Sequence, residues 1–243
     1  MIEAADLAAK TFESHLKNNS YPGRGLVVGR STVDDAWALI YWIMGRSDNS
    51  RNRRFVVEGT TLKTEPVDLA KVADPSLIIY EAMLELPGVY IVSNGDQTRT
   101  LHDTLAGGGT FDEALSTRER EPDAPNYTPR ISAMLDMRSG AGEVTLSYLK
   151  ANPIDVQLTD RYTVRPAAPA AGFGAGLTTY MGDGDPLPAF TGDPLLLPCV
   201  GDAETIADTY WDALDVDNRI SLAVNWITPD GTSRLVVRNR FEL

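Results

Sequence analysis

One cysteine, two histidines and no long apolar run define this chain of 243 residues first by what it cannot build. Cys199 alone can close no internal disulfide and form no thiolate metal cluster, which fits a reducing, cytoplasmic setting. His15 and His102 lie far apart, with no metal-ligand spacing around either, so no metal site is expected. No apolar stretch approaches the roughly 18 to 20 residues that span a bilayer. Glu3, Asp6, Lys10, Glu13 and Lys17 interrupt the start of the chain, so neither a membrane anchor nor a secretory leader is expected. Basic charge is scarce as well. Against 34 acidic residues stand 22 Lys and Arg, for a formal charge of -12, which argues against general nucleic-acid binding. With 43% hydrophobic and 23% charged residues the composition is that of an ordinary globular protein, long enough to bury a core without covalent staples.

The scarce positive charge is not spread evenly. Arg46, Arg51, Arg53 and Arg54 crowd into nine residues, with Asp48 as the only acid among them, a local balance of +3. They follow the apolar run Ala36 to Met44 directly. Guanidinium groups match phosphate geometry with paired donors, so the loop suits an anionic ligand. A solvated basic turn is the other reading of the same residues.

Apolar spacing predicts a helix over 4–16, then strands over 25–29 and 36–44 around a turn at 32–35. Strands are also expected at 55–58, 62–64, 77–85, 88–93, 130–137, 143–150, 161–164 and 177–181, with a terminal hairpin of 220–227 and 233–238. Helices are expected over 98–105, 110–120 and 202–214, Thr110 and Glu113 forming a capping box. The Ala, Pro and Gly of 166–176 read as a loop. Successive hairpins with a few helices, and no regular alternation of strand and helix, predict an α+β fold with a sheet-on-sheet core rather than a Rossmann or TIM fold. No internal repeat divides the chain.

Three more polar segments stand beside strands. Asn94-Gly95-Asp96-Gln97-Thr98 contains an Asn-Gly pair, which also fits a plain tight turn. Glu121-Pro122-Asp123-Ala124-Pro125-Asn126-Tyr127-Thr128-Pro129-Arg130 is stiffened by three prolines, whether as a site or as a rigid lead into a strand. Gly172-Phe173-Gly174-Ala175-Gly176 lacks the following Lys and the strand-to-helix context of a phosphate loop, so no dinucleotide or P-loop site is read there.

Taken together, Tyr21-Pro22-Gly23-Arg24, the Gly45–Arg53 loop, Ser93–Thr98 and Asn126–Ile131 resemble the archaeal-type IMP cyclohydrolase family, with Thr179-Tyr180 as a later anchor. The resemblance starts near residue 21, so residues 1–20 are expected to form a helical extension and 21–243 a single domain. It implies the four-layer αββα sandwich of N-terminal nucleophile hydrolases, two stacked, mainly antiparallel sheets between helices. It implies closure of formamidoimidazole-carboxamide ribotide to IMP with loss of water, a step of de novo purine biosynthesis. A paralogue that acts on a related purine ribotide, or only binds one, is the alternative. The resemblance further implies no cofactor, a purine ribotide phosphate as the ligand, and a homo-oligomer. Met1-Ile2 offers no Cys, Ser or Thr at the first position. Covalent N-terminal chemistry is therefore not expected, and ring closure needs none, because the substrate carries its own nucleophile.

That reaction assigns roles. Arg46, Arg51 and Arg53 are candidates for the phosphate, within a binding set of Tyr21, Arg24, Ser47, Asn49, Asp96, Asn126 and Thr179. A carboxylate must take the carboxamide proton; Glu121 is the first candidate and Asp123 the second. Asn94, Tyr127 and Arg130 are candidate donors to the formyl oxygen as it gains negative charge.

Overall fold

A computed structural model describes residues 3–72 and 79–241. Helix α1 (Ala4–Phe12) runs into a π-helical turn, Glu13–Lys17. Then come β1 (Gly25–Arg30), β2 (Trp37–Met44), the short helix α2 (Asp48–Arg51), β3 (Arg54–Glu58), β4 (Thr61–Glu65), β5 (Glu81–Leu86) and β6 (Val89–Ser93). Helices α3 (Gln97–Ala106) and α4 (Phe111–Ser116) precede β7 (Arg130–Asp136), β8 (Glu143–Ala151), β9 (Thr159–Val164), β10 (Gly172–Thr178) and β11 (Leu195–Cys199). Helix α5 (Ala203–Ala213) and the hairpin β12 (Arg219–Ile227), β13 (Ser233–Asn239) follow.

The strands form two antiparallel sheets, one of six strands in the order β11-β10-β1-β2-β12-β13 and one of seven running β3 to β9 in sequence order. Both faces of the central strands are apolar because both are covered. In β2, Leu39, Tyr41 and Ile43 point to the second sheet, while Ala38, Ile40 and Trp42 point to the helices. Leu26 and Val28 of β1 join the first set and pack against Val92, Ile131, Ala133 and Leu146. On the outer face of the six-stranded sheet, Phe12, Leu16, Ile206 and Tyr210 close a second core, with the Phe12 and Tyr210 rings edge to face at 5.1 Å. Leu101, Phe111 and Leu115 of α3 and α4 cover Val89, Ile91 and Met134 on the other side. The protein is thus α+β, with two stacked sheets between helical layers.

Several elements differ from the sequence reading. Gly172–Thr178 is a strand rather than a loop. Its glycines lie where β1 and β11 approach so closely that a Cβ at Gly174 would stand 2.6 Å from Val27 and one at Gly176 2.9 Å from Leu197. The same residues that signal a loop locally here admit close packing. Edge strand β11 carries Pro198, which masks its strand character. The Arg loop holds the helical turn α2, capped reciprocally by Ser47 and Ser50. Helix α4 ends at Ser116, short of Arg120, although the Thr110–Glu113 capping box forms as read. Of the strand read over 77–85, residues 77 and 78 lie outside the described residues.

Candidate functional site

The chain enters β1 through Tyr21-Pro22-Gly23-Arg24, and local sterics explain the order of residues. Gly23 has φ +74°, and a Cβ there would fall 2.2 Å from the Thr179 hydroxyl and 2.5 Å from the Tyr180 ring. Its absence lets 22–24 pair with 179–180: Arg24 N–H donates to Thr179 Oγ1 at 3.1 Å, and the Thr179 and Tyr180 amides donate to the Arg24 and Pro22 carbonyls. Tyr21 and Tyr180 then stack with ring centroids 6.0 Å apart.

Arg24 is the bridge between the sheets. From the start of β1 its guanidinium donates to the Asn94 carbonyl (2.9 Å), just past β6 in the second sheet, and to Glu121 Oε2 (3.0 Å). Both side chains of this ion pair are buried, at 11% and 6% exposure. Burial opposes the charge on Arg24, and Glu121, aided by Tyr80 and Tyr41, more than offsets it, so Arg24 is held above the usual arginine range. Glu121 Oε1 has no hydrogen-bond partner among the described residues.

The arginine loop closes one side. Arg46 pairs with Asp183, donates to the Gly184 carbonyl at 3.1 Å, and lies 4.9 Å over the Tyr21 ring. Arg53 is different. It is 6% exposed, its Nε donates to the Ser50 carbonyl at 2.9 Å, and it forms no ion pair among the described residues. A nearly buried cation without a counter-charge is costly unless a ligand supplies one. Burial pushes the Tyr21 phenol up, against the pull of Arg24, Arg53 and Arg46, so it stays a neutral hydroxyl among three cations.

The proline-rich segment forms the opposite wall. Asp123 Oδ1 accepts the Thr128 amide at 2.7 Å, its Oδ2 accepts the Thr128 hydroxyl, and that hydroxyl is 2.6 Å from the Tyr180 hydroxyl. Asn126 Oδ1 accepts the Leu187 amide at 3.0 Å.

These walls enclose a cavity of about 380 Å³. Tyr21, Arg24, Arg46, Ser47, Asn49, Arg53, Glu121, Asp123 and Asn126, all read from the sequence as site residues, border it. The other expected residues do not. Arg51 donates to the Gly45 carbonyl (3.1 Å) and to Asn218 (3.2 Å), tying the loop to the lead into β12. Asn94 is fully buried and spends its amide on the Pro129 carbonyl, the Ile131 amide and Gln97. Asp96 binds Arg118 and Arg130, and Arg130 also donates to Gln97 and to the Glu119 carbonyl. Tyr127, at φ 43°, is half-buried, with Arg120 4.3 Å over its ring. Thr179 lies beneath the Tyr21–Arg24 turn as its hydrogen-bond acceptor. Asn94, Tyr127 and Arg130 therefore lie behind the residues that line the cavity. Met44, Ser50, Thr128, Tyr180 and Leu187 also line it and were not singled out. Ser50, Thr128 and Tyr180 lie within segments that carry the resemblance, whereas Met44 and Leu187 carried no site signal. Among the described residues no group of three or more His, Cys, Asp or Glu is placed to hold a metal, and no helix is long and apolar enough to cross a membrane.

Two antiparallel sheets stacked between helices, with an arginine-rich cavity set where both sheets end, define an α+β protein and its candidate site. The chain belongs to the family of IMP cyclohydrolase-like proteins, whose family model matches residues 21–231. No curated protein matches the chain.

Proposed function

We propose that the protein is an IMP cyclohydrolase, closing formamidoimidazole-carboxamide ribotide to IMP with loss of water, as a step of purine biosynthesis. The observation that carries this reading is Arg53, a buried cation with no ion-pair partner among the described residues, in the same cavity as the Glu121 carboxylate. The volume of about 380 Å³ lies near the small end of ligand pockets, which run from about 300 to 1,000 Å³, and suits one mononucleotide.

In this reading Arg53 and Arg46 hold the phosphate, with the Ser47 and Ser50 hydroxyls beside them. Met44 and Leu187 give the base an apolar surface, and the Tyr21 and Tyr180 rings flank it. The free Oε1 of Glu121 takes the proton from the carboxamide nitrogen as that nitrogen attacks the formyl carbon. The Arg24 guanidinium and the Tyr21 hydroxyl, both on the cavity wall with Glu121, stabilise the formyl oxygen as its charge grows. Holding the two reacting groups of one molecule together supplies much of the acceleration.

The test is an absorbance assay of the formylated ribotide with the purified protein. IMP formation that disappears in Glu121→Gln is the expected result. Ribotide binding without turnover would leave a binding protein or a shifted substrate. Neither binding nor turnover would sink the functional reading and leave the family and fold.

A further inference from the structure

Ring closure moves two protons from nitrogen to the departing oxygen, one from the carboxamide and one from the formamide nitrogen, and Glu121 accounts for one of them. The second carboxylate on the cavity wall, Asp123, has both oxygens occupied by Thr128, one by its amide and one by its hydroxyl. A threonine hydroxyl has a single hydrogen. Since Thr128 gives it to Asp123, the 2.6 Å contact with Tyr180 requires the tyrosine to be the donor. The bonds therefore run in one direction, from Tyr180 through Thr128 to Asp123, and Tyr180 borders the cavity.

We propose, on the cyclohydrolase reading above, that Tyr180 and Thr128 form a two-hydroxyl proton wire connecting the substrate to Asp123. The Tyr180 oxygen accepts the formamide N–H proton while its own proton passes to Thr128 and the Thr128 proton to Asp123. The N–H electron pair forms the ring C=N bond as the C–O bond breaks; the departing oxygen, already carrying the proton from protonated Glu121, leaves as hydroxide and becomes water when Asp123 returns its proton along the reversed wire. Both carboxylates end as they began, and the atoms balance without a further reactant. Burial pushes the Tyr180 phenol up, so it keeps its proton near neutral pH and conducts rather than stores charge. The geometry is preorganised: Gly23 leaves the space in which the Tyr180 ring sits, and the Pro22 carbonyl holds its amide.

Thr128→Val removes the middle hydroxyl and keeps the side chain's volume. The expected result is a loss of about 100-fold in kcat, the scale of one proton-transfer catalyst, with IMP affinity within about threefold of wild type by calorimetry. Thr128→Ser restores most of kcat. In mixed light and heavy water the wild-type rate curves with deuterium fraction, because several protons move together, and the Thr128→Val rate does not. Tyr180→Phe cuts the wire at its cavity end while keeping the ring stacked on Tyr21, and gives a similar loss whether or not Thr128→Val folds. Wild-type kcat in Tyr180→Phe, or equal impairment of Thr128→Ser and Thr128→Val, would overturn the wire alone. Absence of turnover in the wild-type protein would overturn the cyclohydrolase reading, and the wire with it.

Discussion

At the scale of single residues, the arginines of one loop separate by what they touch. Among the described residues Arg53 has one carbonyl contact and no carboxylate partner, whereas Arg51 donates to both Gly45 and Asn218. Arg53→Met should weaken binding of IMP about 10- to 100-fold, since a hydrogen bond to a charged group is worth about 1.5–3 kcal/mol. Its effect on folding should be small or even favourable, because it removes an unpaired buried charge. Arg51→Ala should do the reverse, lowering the denaturation midpoint while affinity changes little. Calorimetry and urea melts on both variants check the pair. This division was not legible in the sequence, where the two residues stand two apart in the same basic run. Charge density marked the loop, but the turn α2, set by the Ser47–Ser50 cap, decides which guanidinium faces inward. Asn94 was no more legible: a polar residue beside a strand end can serve a site or the backbone, and here its amide satisfies the backbone of Pro129 and Ile131.

At the scale of elements, the segment before β1 supports the cavity from behind. Thr178 donates its hydroxyl proton to the Tyr180 carbonyl at 2.8 Å, so its oxygen accepts from His15 Nε2–H at 2.9 Å. Asn19 donates to the Met181 carbonyl at 3.0 Å while accepting the Tyr21 amide. Residues before the family match thus hold the end of β10 and the segment after it that carries Tyr180. Burial lowers the pKa of His15 below 6.5, so the imidazole is neutral in the folded protein at neutral pH. The sign follows: the unfolded chain takes up the proton first, so stability is full above pH 6.5 and is lost as pH falls toward and through the lower folded value. His15→Gln should flatten that part of the stability–pH curve, measured by urea melts at successive pH values. The helix itself was readable from apolar spacing; its π-helical end, which turns His15 inward, was not, because it depends on the partner strand. The strands β1, β2, β6 and β7 were legible because their apolar runs are continuous. β10 and β11 were not, since Gly and Pro carry opposite meanings in a loop and in a closely packed or edge strand.

At the scale of the molecule, the two-sheet core was legible from the succession of hairpins, while the cavity depends on how the sheets meet. Tyr21 and Arg24 come from the lead into β1 of the six-stranded sheet, and Arg53 and Glu121 to Thr128 from the leads into β3 and β7 of the seven-stranded one, so the cavity sits on the seam between the sheets. Arg24 is the tie across that seam, through Asn94 and Glu121. A molecule seated there touches both sheets at once and acts as a rivet. At a concentration 100 times its Kd it adds about 2.7 kcal/mol to global stability. Hydrogen exchange should show where that energy goes: amides of β1 and β2 and those of β6 and β7 should slow together on IMP binding, although the two pairs belong to different sheets. Slowing in one pair alone would mean that the ligand grips a single sheet. With the rivet in place, opening at either sheet has to wait for the ligand to leave, so the rate of release would set the clock for both.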